Sequence, residues 1–148
     1  MLIGRYYHTL EKNGRLALPK AFREKALEWV VSRGLDGGLF LFPEQDFAKQ
    51  IQELTERTFT KKRNRDFIRL MVNSAQQVSP DSLGRVLLPS YLIDLATLSK
   101  EVVVVGSYHY LEIWNQKLYH HYLDELEPQA EQLAESLSSP TEIESTSL

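Results

Sequence analysis

The sequence contains no cysteine, two methionines and two tryptophans, and no apolar run exceeds four residues, as in Val102–Val105. Without cysteine there is no disulfide framework, thiol nucleophile, iron–sulfur cluster or thiolate zinc site. Runs of four fall far short of the about 18–20 apolar residues that a membrane-crossing helix needs. The opening Met1-Leu-Ile-Gly-Arg5 lacks the charged-then-apolar layout of a secretion signal. A cytoplasmic protein with no membrane partner is expected. Also absent are Gly-x-Ser-x-Gly, His-Glu-x-x-His and a phosphate loop followed by Lys-Ser/Thr, so no cofactor and no small-molecule ligand are implied. What remains, 43% hydrophobic and 25% charged residues, is the composition of a soluble globular chain. Its 148 residues suffice for one ordinary domain, or for two small units that must share a core or oligomerise.

Basic residues are scarce in one half only. Residues 73–148 hold 3 Lys and Arg against 11 Asp and Glu, a net of -8, whereas residues 1–72 hold 14 against 9, a net of +5. The total of -3 argues mildly against nucleic acid as a partner, and its distribution argues the other way. Part of the acidity lies at the end. Residues 128–148 carry four glutamates, no basic residue and a Ser-rich stretch, which reads as a mostly disordered acidic tail over 127–148.

The chain repeats itself. Glu11-Lys-Asn-Gly-Arg-Leu-Ala-Leu-Pro19 lies over Asp81-Ser-Leu-Gly-Arg-Val-Leu-Leu-Pro89 at an offset of 70, and Leu39-Phe-Leu-Phe42 lies over Leu111-Glu-Ile-Trp114 at 72. So many ordered matches indicate an internal duplication. Copy one occupies 5–54 and copy two 75–126, joined by a basic helix within 55–74. In copy one, strands are expected near Arg5–Leu10 and Arg15–Leu18, joined at Asn13-Gly14, the strongest short hairpin signal. Pro19 opens a helix over Lys20–Leu27, a second hairpin joins Trp29–Ser32 to Gly38–Phe42, and Glu44–Leu54 is an amphipathic helix. Copy two repeats this order, with Asn115 capping a helix over Lys117–Leu126. Short helices among alternating or apolar strands give an α+β class, in which two units interleave into a small barrel because neither closes a core alone.

Arg15 and Arg85 are the first candidates for chemistry. Each follows a turn glycine, Gly14 or Gly84, on the strand face opposite the apolar residues, where a guanidinium could reach guanine O6 and N7 or a phosphate. The alternative is an arginine tying its own turn to the acid four positions back, Glu11 or Asp81. Lys12, Lys20 and Arg23 add positive charge around the first turn. A second feature is the linker helix, where Lys61, Arg65 and Arg69 recur at i, i+4, i+8 and could track phosphates, or form a solvated face. His120-His121 precedes Asp124, and His120 with Asp124 could share a helix face as two metal ligands, but no third ligand has a clear place, so no metal site is assigned. Tyr6, Tyr7, Phe40, Phe42 and Trp114 are read as packing residues.

The segments Met1–Pro19, Arg33–Pro43, Asp81–Arg85 and Leu111–Trp114 resemble, in order and spacing, the MraZ family of bacterial regulators, built from two SpoVT–AbrB-type swapped-hairpin domains. The resemblance covers roughly residues 1–126 and leaves the tail outside. It implies a duplicated swapped-hairpin fold with one pseudo-two-fold unit per chain. It also implies a nucleoid-associated, sequence-specific transcription regulator, typically a repressor of the division and cell-wall gene cluster. Such a protein binds direct repeats in double-stranded promoter DNA as a ring of several identical subunits. The family's Asp-x-x-x-Arg signature, whose arginine is proposed to contact DNA, falls on Asp81 and Arg85, and on Arg15 with Glu11 in place of aspartate. Arg15 is the expected main contact, supported by Lys12, Lys20 and Arg23, with Arg85 a second contact or a partner of Asp81. Glu11, Asn13, Gly14, Asp81 and Gly84 are expected to shape the turns. A protein-binding, antitoxin-like module without DNA contact is the rival from another class, and a metal-dependent enzyme the third.

Overall fold

Two copies of one strand–turn–strand–helix unit exchange their strands in the computed structural model, which describes residues 1–57 and 59–137. Copy one supplies β1 (Arg5–Thr9), β2 (Arg15–Ala17), α1 (Lys20–Arg23), β3 (Trp29–Arg33), β4 (Leu39–Pro43) and α2 (Glu44–Arg57). After α3 (Lys62–Ser74), copy two supplies β5 (Gln76–Val78), β6 (Arg85–Leu87), α4 (Ser90–Leu95), β7 (Glu101–Gly106), β8 (Leu111–Asn115) and α5 (Gln116–Leu126). Contacts divide the chain into one unit over Met1–Gln116, which holds the strands of both copies, and a second from Lys117 onward. The second unit carries α5, a 3-10 turn over Glu127–Gln129 and α6 (Ala130–Glu135). Among the described residues no helix is long and apolar enough to cross a membrane.

The strands form a six-stranded sheet, β1-β7-β8-β4-β3-β5, and a separate two-stranded ribbon, β2-β6. All pairings are antiparallel. The order is palindromic in the two copies: β1 of copy one lies on β7 of copy two, and β5 of copy two lies on β3 of copy one. A local pseudo-two-fold passes through two matched pairs, Leu16 opposite Val86 in the ribbon and Phe40 opposite Glu112 in the sheet. This is the α+β, duplicated swapped-hairpin fold. The barrel-like closure comes from side chains packed between ribbon and sheet, since no ladder joins the two.

The local β1–β2 hairpin read from Asn13-Gly14 does not form. The chain does turn there, with the Gly14 N–H donating to the Glu11 carbonyl and the Glu11 N–H to the Arg15 carbonyl, both at 2.9 Å. Each flanking strand then takes its partner from the other copy. The valine run of β7 gives β1 a longer, fully buried neighbour than the three residues of β2 could.

Burial explains why the inner strands read as apolar runs: β3, β4, β7 and β8 are covered on both faces, whereas the edge strands β1 and β5 are not. Trp29, Val31, Leu39, Leu41, Val102, Val104, Leu111 and Ile113 join Leu16, Leu18, Val86 and Leu88 of the ribbon segments, with Phe22 and Leu92 of α1 and α4, in one core. On the opposite face Phe40, Phe42 and Tyr110 stack with Phe47 of α2, and Phe67 and Met71 of α3 line the same small cavity of about 210 Å³. Tyr6 packs edge-on against Phe22, while Tyr7 is half exposed.

Helix limits differ in two places. The helix expected over Lys20–Leu27 stops at Arg23, because it buries only Phe22, too little apolar surface to extend a helix whose nucleation is costly. The tail expected to be disordered is ordered through α6, whose Ala-Glu-Gln-Leu-Ala-Glu sequence consists of strong helix formers. The expected disorder over 138–148 lies outside the described residues. Asn115, expected to cap α5, directly precedes that helix, and its side-chain amide also donates to the Thr97 carbonyl at 2.7 Å.

At the pseudo-axis the copies differ, because Glu112 occupies the place of Phe40. Burial pushes the Glu112 carboxyl up, and Asp36 adds to this against hydrogen bonds from Ser107 and Trp114. A raised folded-state pKa means that the unfolded chain ionises first as pH rises, so the fold loses stability above the ordinary glutamate value of about 4.3. Glu112→Gln keeps the acceptor for Ser107 and removes the charge. It should raise the melting temperature at pH 7, with the gain vanishing near pH 3.5. A lower melting temperature at pH 7 would contradict this account.

Candidate nucleic-acid interface

The ribbon places the two arginine-bearing turns side by side. Leu18 donates its N–H to the Gly84 carbonyl and Leu88 to the Gly14 carbonyl, both at 2.9 Å, so each turn glycine is stitched to the other copy's strand end. Gly14 (φ +87°) and Gly84 (φ +76°) occupy the left-handed region, which glycine enters without a Cβ penalty. Leu16 and Val86 point into the core, leaving Arg15, Ala17, Arg85 and Leu87 on the outer face.

The two turns are built alike but closed differently. In the second, Asp81 Oδ1 accepts the N–H groups of Leu83 and Arg85 at 2.9 Å each, and Arg85 Nε donates to Asp81 Oδ2 at 2.9 Å. In the first, Asn13 Oδ1 takes the Arg15 N–H at 3.1 Å. The Glu11 carboxylate reaches across to Arg85 Nη1 at 3.2 Å instead. Glutamate's extra methylene carries the carboxylate past its own turn, and Asn13 supplies the short acceptor. Arg85 is therefore held by acids from both copies, with its side chain 29% exposed. Arg15 lies 4.0 Å from Asp81 and is 41% exposed, the less constrained of the pair.

These bonds shift the charges accordingly. The Arg85 backbone N–H, foremost, together with its side chain and the Leu83 N–H, holds the Asp81 carboxyl below the usual range, and Asp81 in turn raises Arg85. A depressed carboxylate pKa contributes stability above its unfolded value of about 3.9 and loses it as pH falls through the folded value. Asp81→Asn should accordingly lower the melting temperature at pH 7. The deficit should shrink below pH 4, and a deficit constant with pH would show that charge is not the cause.

The other sequence candidates have varied settings. Lys12 is exposed on the first turn and Lys20 is exposed at the start of α1, just after Leu18, whose N–H is bonded to Gly84 of the second turn; neither forms an ion pair among the described residues. Arg23 Nε donates to the Leu18 carbonyl at 2.8 Å, and its guanidinium lies against Gly84, where an added Cβ would fall 2.5 Å from Nε. The residue thus braces the second turn from behind, as Ile93, its counterpart, does beside Gly14. Burial, then nearby Arg23, lowers the pKa of His8. On α3, Arg65 Nη1 donates to the Phe59 carbonyl at 2.9 Å, Arg69 and Lys62 both pair with Asp66, and Lys61 is exposed. His120, His121 and Asp124 lie on α5, where His121 pairs with Glu125 at 3.2 Å. Among the described residues no three His, Asp or Glu side chains gather in a way that could hold a metal.

The sequence that builds these two copy-related turns matches a known family over nearly the whole chain. A sequence model described as "MraZ protein, putative antitoxin-like" matches residues 1–70 and again 71–139. The chain belongs to the MraZ family. The match extends past residue 126, where the resemblance read from the sequence ended, and takes in α6. "Transcriptional regulator MraZ" of Moorella thermoacetica is 40% identical over 138 residues, covering 93% of this chain and 96% of its own. Proteins of that name from Carboxydothermus hydrogenoformans and Pediococcus pentosaceus are 38% and 37% identical with the same coverage. The MraZ duplication is thus visible twice, as two family matches in sequence and as a palindromic strand order in the fold.

Proposed function

We propose that this MraZ-family transcriptional regulator binds double-stranded promoter DNA through the outer face of the β2–β6 ribbon and its two turns. The observation that carries this is Arg15, the half-exposed, loosely held guanidinium on the outer face of a two-stranded ribbon, an element the major groove admits, with Lys12 on the adjoining turn and Lys20 exposed at the start of α1. Arg85 acts chiefly as a clamp that fixes both turns, and Arg23 as a brace. Lys61, with Arg65 and Arg69, adds a secondary phosphate-facing row.

The reading extends to a homo-oligomeric ring on short direct repeats, acting in the cytoplasm at the nucleoid as a repressor of the division and cell-wall gene cluster. One chain offers few phosphate contacts, and repetition on a ring multiplies them. An open groove of about 590 Å³ between α3 and α4, edged by half-exposed Leu70, Tyr91 and Leu95, supports contacts between subunits. The test is binding to a promoter fragment bearing direct repeats across a series of salt concentrations. Affinity should fall linearly in log-log form as counterions compete. Salt-independent binding would overturn the reading. Capture of a basic protein with no shift of promoter DNA would favour an antitoxin-like interaction module, the alternative that the family description names.

A further inference from the structure

Leu87 is a large apolar residue turned away from the core. It lies on the outer face of the ribbon, 47% exposed, alternating with the fully buried Val86 and directly opposite Arg15. One Cδ lies by Gly14, 3.6 Å from where a Cβ there would stand, but nearly half of the residue stays open on the surface that otherwise carries Arg15, Arg85, Glu11 and Asp81. The equivalent position in copy one is Ala17, opposite Arg85. The two outward cross-strand pairs of the ribbon therefore differ. One sets a half-exposed arginine opposite an exposed leucine, and the other sets a clamped arginine opposite a single methyl.

An occupant that suits the Arg15–Leu87 pair must present hydrogen-bond acceptors beside an apolar group. The major groove does so wherever a guanine, with its O6 and N7 acceptors, adjoins a thymine, whose C5-methyl is the one apolar group on that edge. Directly opposite residues have Cβ atoms about 4.5–5.5 Å apart. Successive base pairs are spaced by about 3.4 Å, so two such side chains fit one base step. A second copy of this chain would have to bury the Arg15 guanidinium together with Leu87, a desolvation that a flat apolar face does not offset. We propose that Leu87 is a specificity-determining contact to a thymine C5-methyl, on the step next to the guanine read by Arg15. The inference rests on the DNA-binding reading above and deepens it.

The test removes the methyl without touching the protein. Thymines in a bound promoter repeat are replaced one at a time by deoxyuridine, and affinities of the wild-type chain and of Leu87→Ala are measured on each fragment. One replacement should weaken wild-type binding about fourfold, the effect of losing one buried methyl. Leu87→Ala should bind the native repeat more weakly and show no further loss at that position. Wild-type affinity unchanged by every replacement overturns the inference while leaving DNA binding intact, as does a variant that stays fully sensitive. A wild-type chain that shifts no promoter fragment overturns the DNA-binding reading and this inference with it. A change of oligomer size in Leu87→Ala, with uracil sensitivity retained, assigns Leu87 to a subunit contact and overturns the proposal.

Discussion

Arg15→Ala should lower affinity for a repeat-bearing promoter fragment by about tenfold to a hundredfold, the range expected for one bidentate arginine–guanine contact. On a multi-subunit ring the loss recurs at every engaged site and grows with it. Arg85→Ala should behave differently. It removes the bonds from Asp81 and Glu11, so the melting temperature should fall along with affinity, whereas Arg15→Ala should melt much as the wild type does. Arg15→Lys separates two modes of contact. A phosphate contact tolerates a point charge, but a bidentate base contact does not. Binding titrations paired with thermal melts of the three variants read all of this. Full affinity in Arg15→Ala would end the proposed role.

The largest stability loss is expected at the pseudo-axis. Leu16 is fully buried opposite Val86, and these residues join the copies through the three-residue ribbon. Leu16→Ala should cost about 2–5 kcal/mol through lost burial and an incompletely collapsed cavity. For a chain of this size that corresponds to a melting temperature lower by about 5–15 °C. Because the core draws on both copies, calorimetry should show Met1–Gln116 melting as one cooperative unit. Separate transitions for copies one and two would contradict the interleaved core.

Much of this architecture was legible in the sequence. Two matched runs at offsets of 70 and 72 disclosed the duplication, and the apolar runs Val102–Val105 and Leu39–Phe42 fell within expected strands. Their partners were not legible from local pattern. Asn13-Gly14 carries a real turn signal, yet a turn does not dictate which strand completes the ladder, and the competition between β2 and β7 for β1 is decided by core packing across both copies. The resemblance to swapped-hairpin domains supplied that expectation where periodicity could not. At the interface, the position of Arg15 on an outward strand face followed from alternation alone. The crossing bond from Glu11 to Arg85 did not, because it links residues 74 positions apart and depends on the stitching of Gly14 and Gly84 to opposite strands. The setting of Arg23 was hidden for a related reason. Its charge marked it as a candidate, but its Nε bond to the Leu18 carbonyl and its approach to Gly84 of the other copy depend on the exchanged strands.

Joining the copies in one polypeptide frees them to diverge. A symmetric pair of identical chains must present the same residues in both outward cross-strand pairs of its ribbon and would meet a duplex identically in both orientations, which suits inverted half-sites. Here one pair is Arg15 with Leu87 and the other Arg85 with Ala17. On the DNA-binding role proposed above, such a surface would have a heading along the double helix: rotated by half a turn, it no longer matches itself. A reader of that kind would be matched to sites that all point the same way, as direct repeats do.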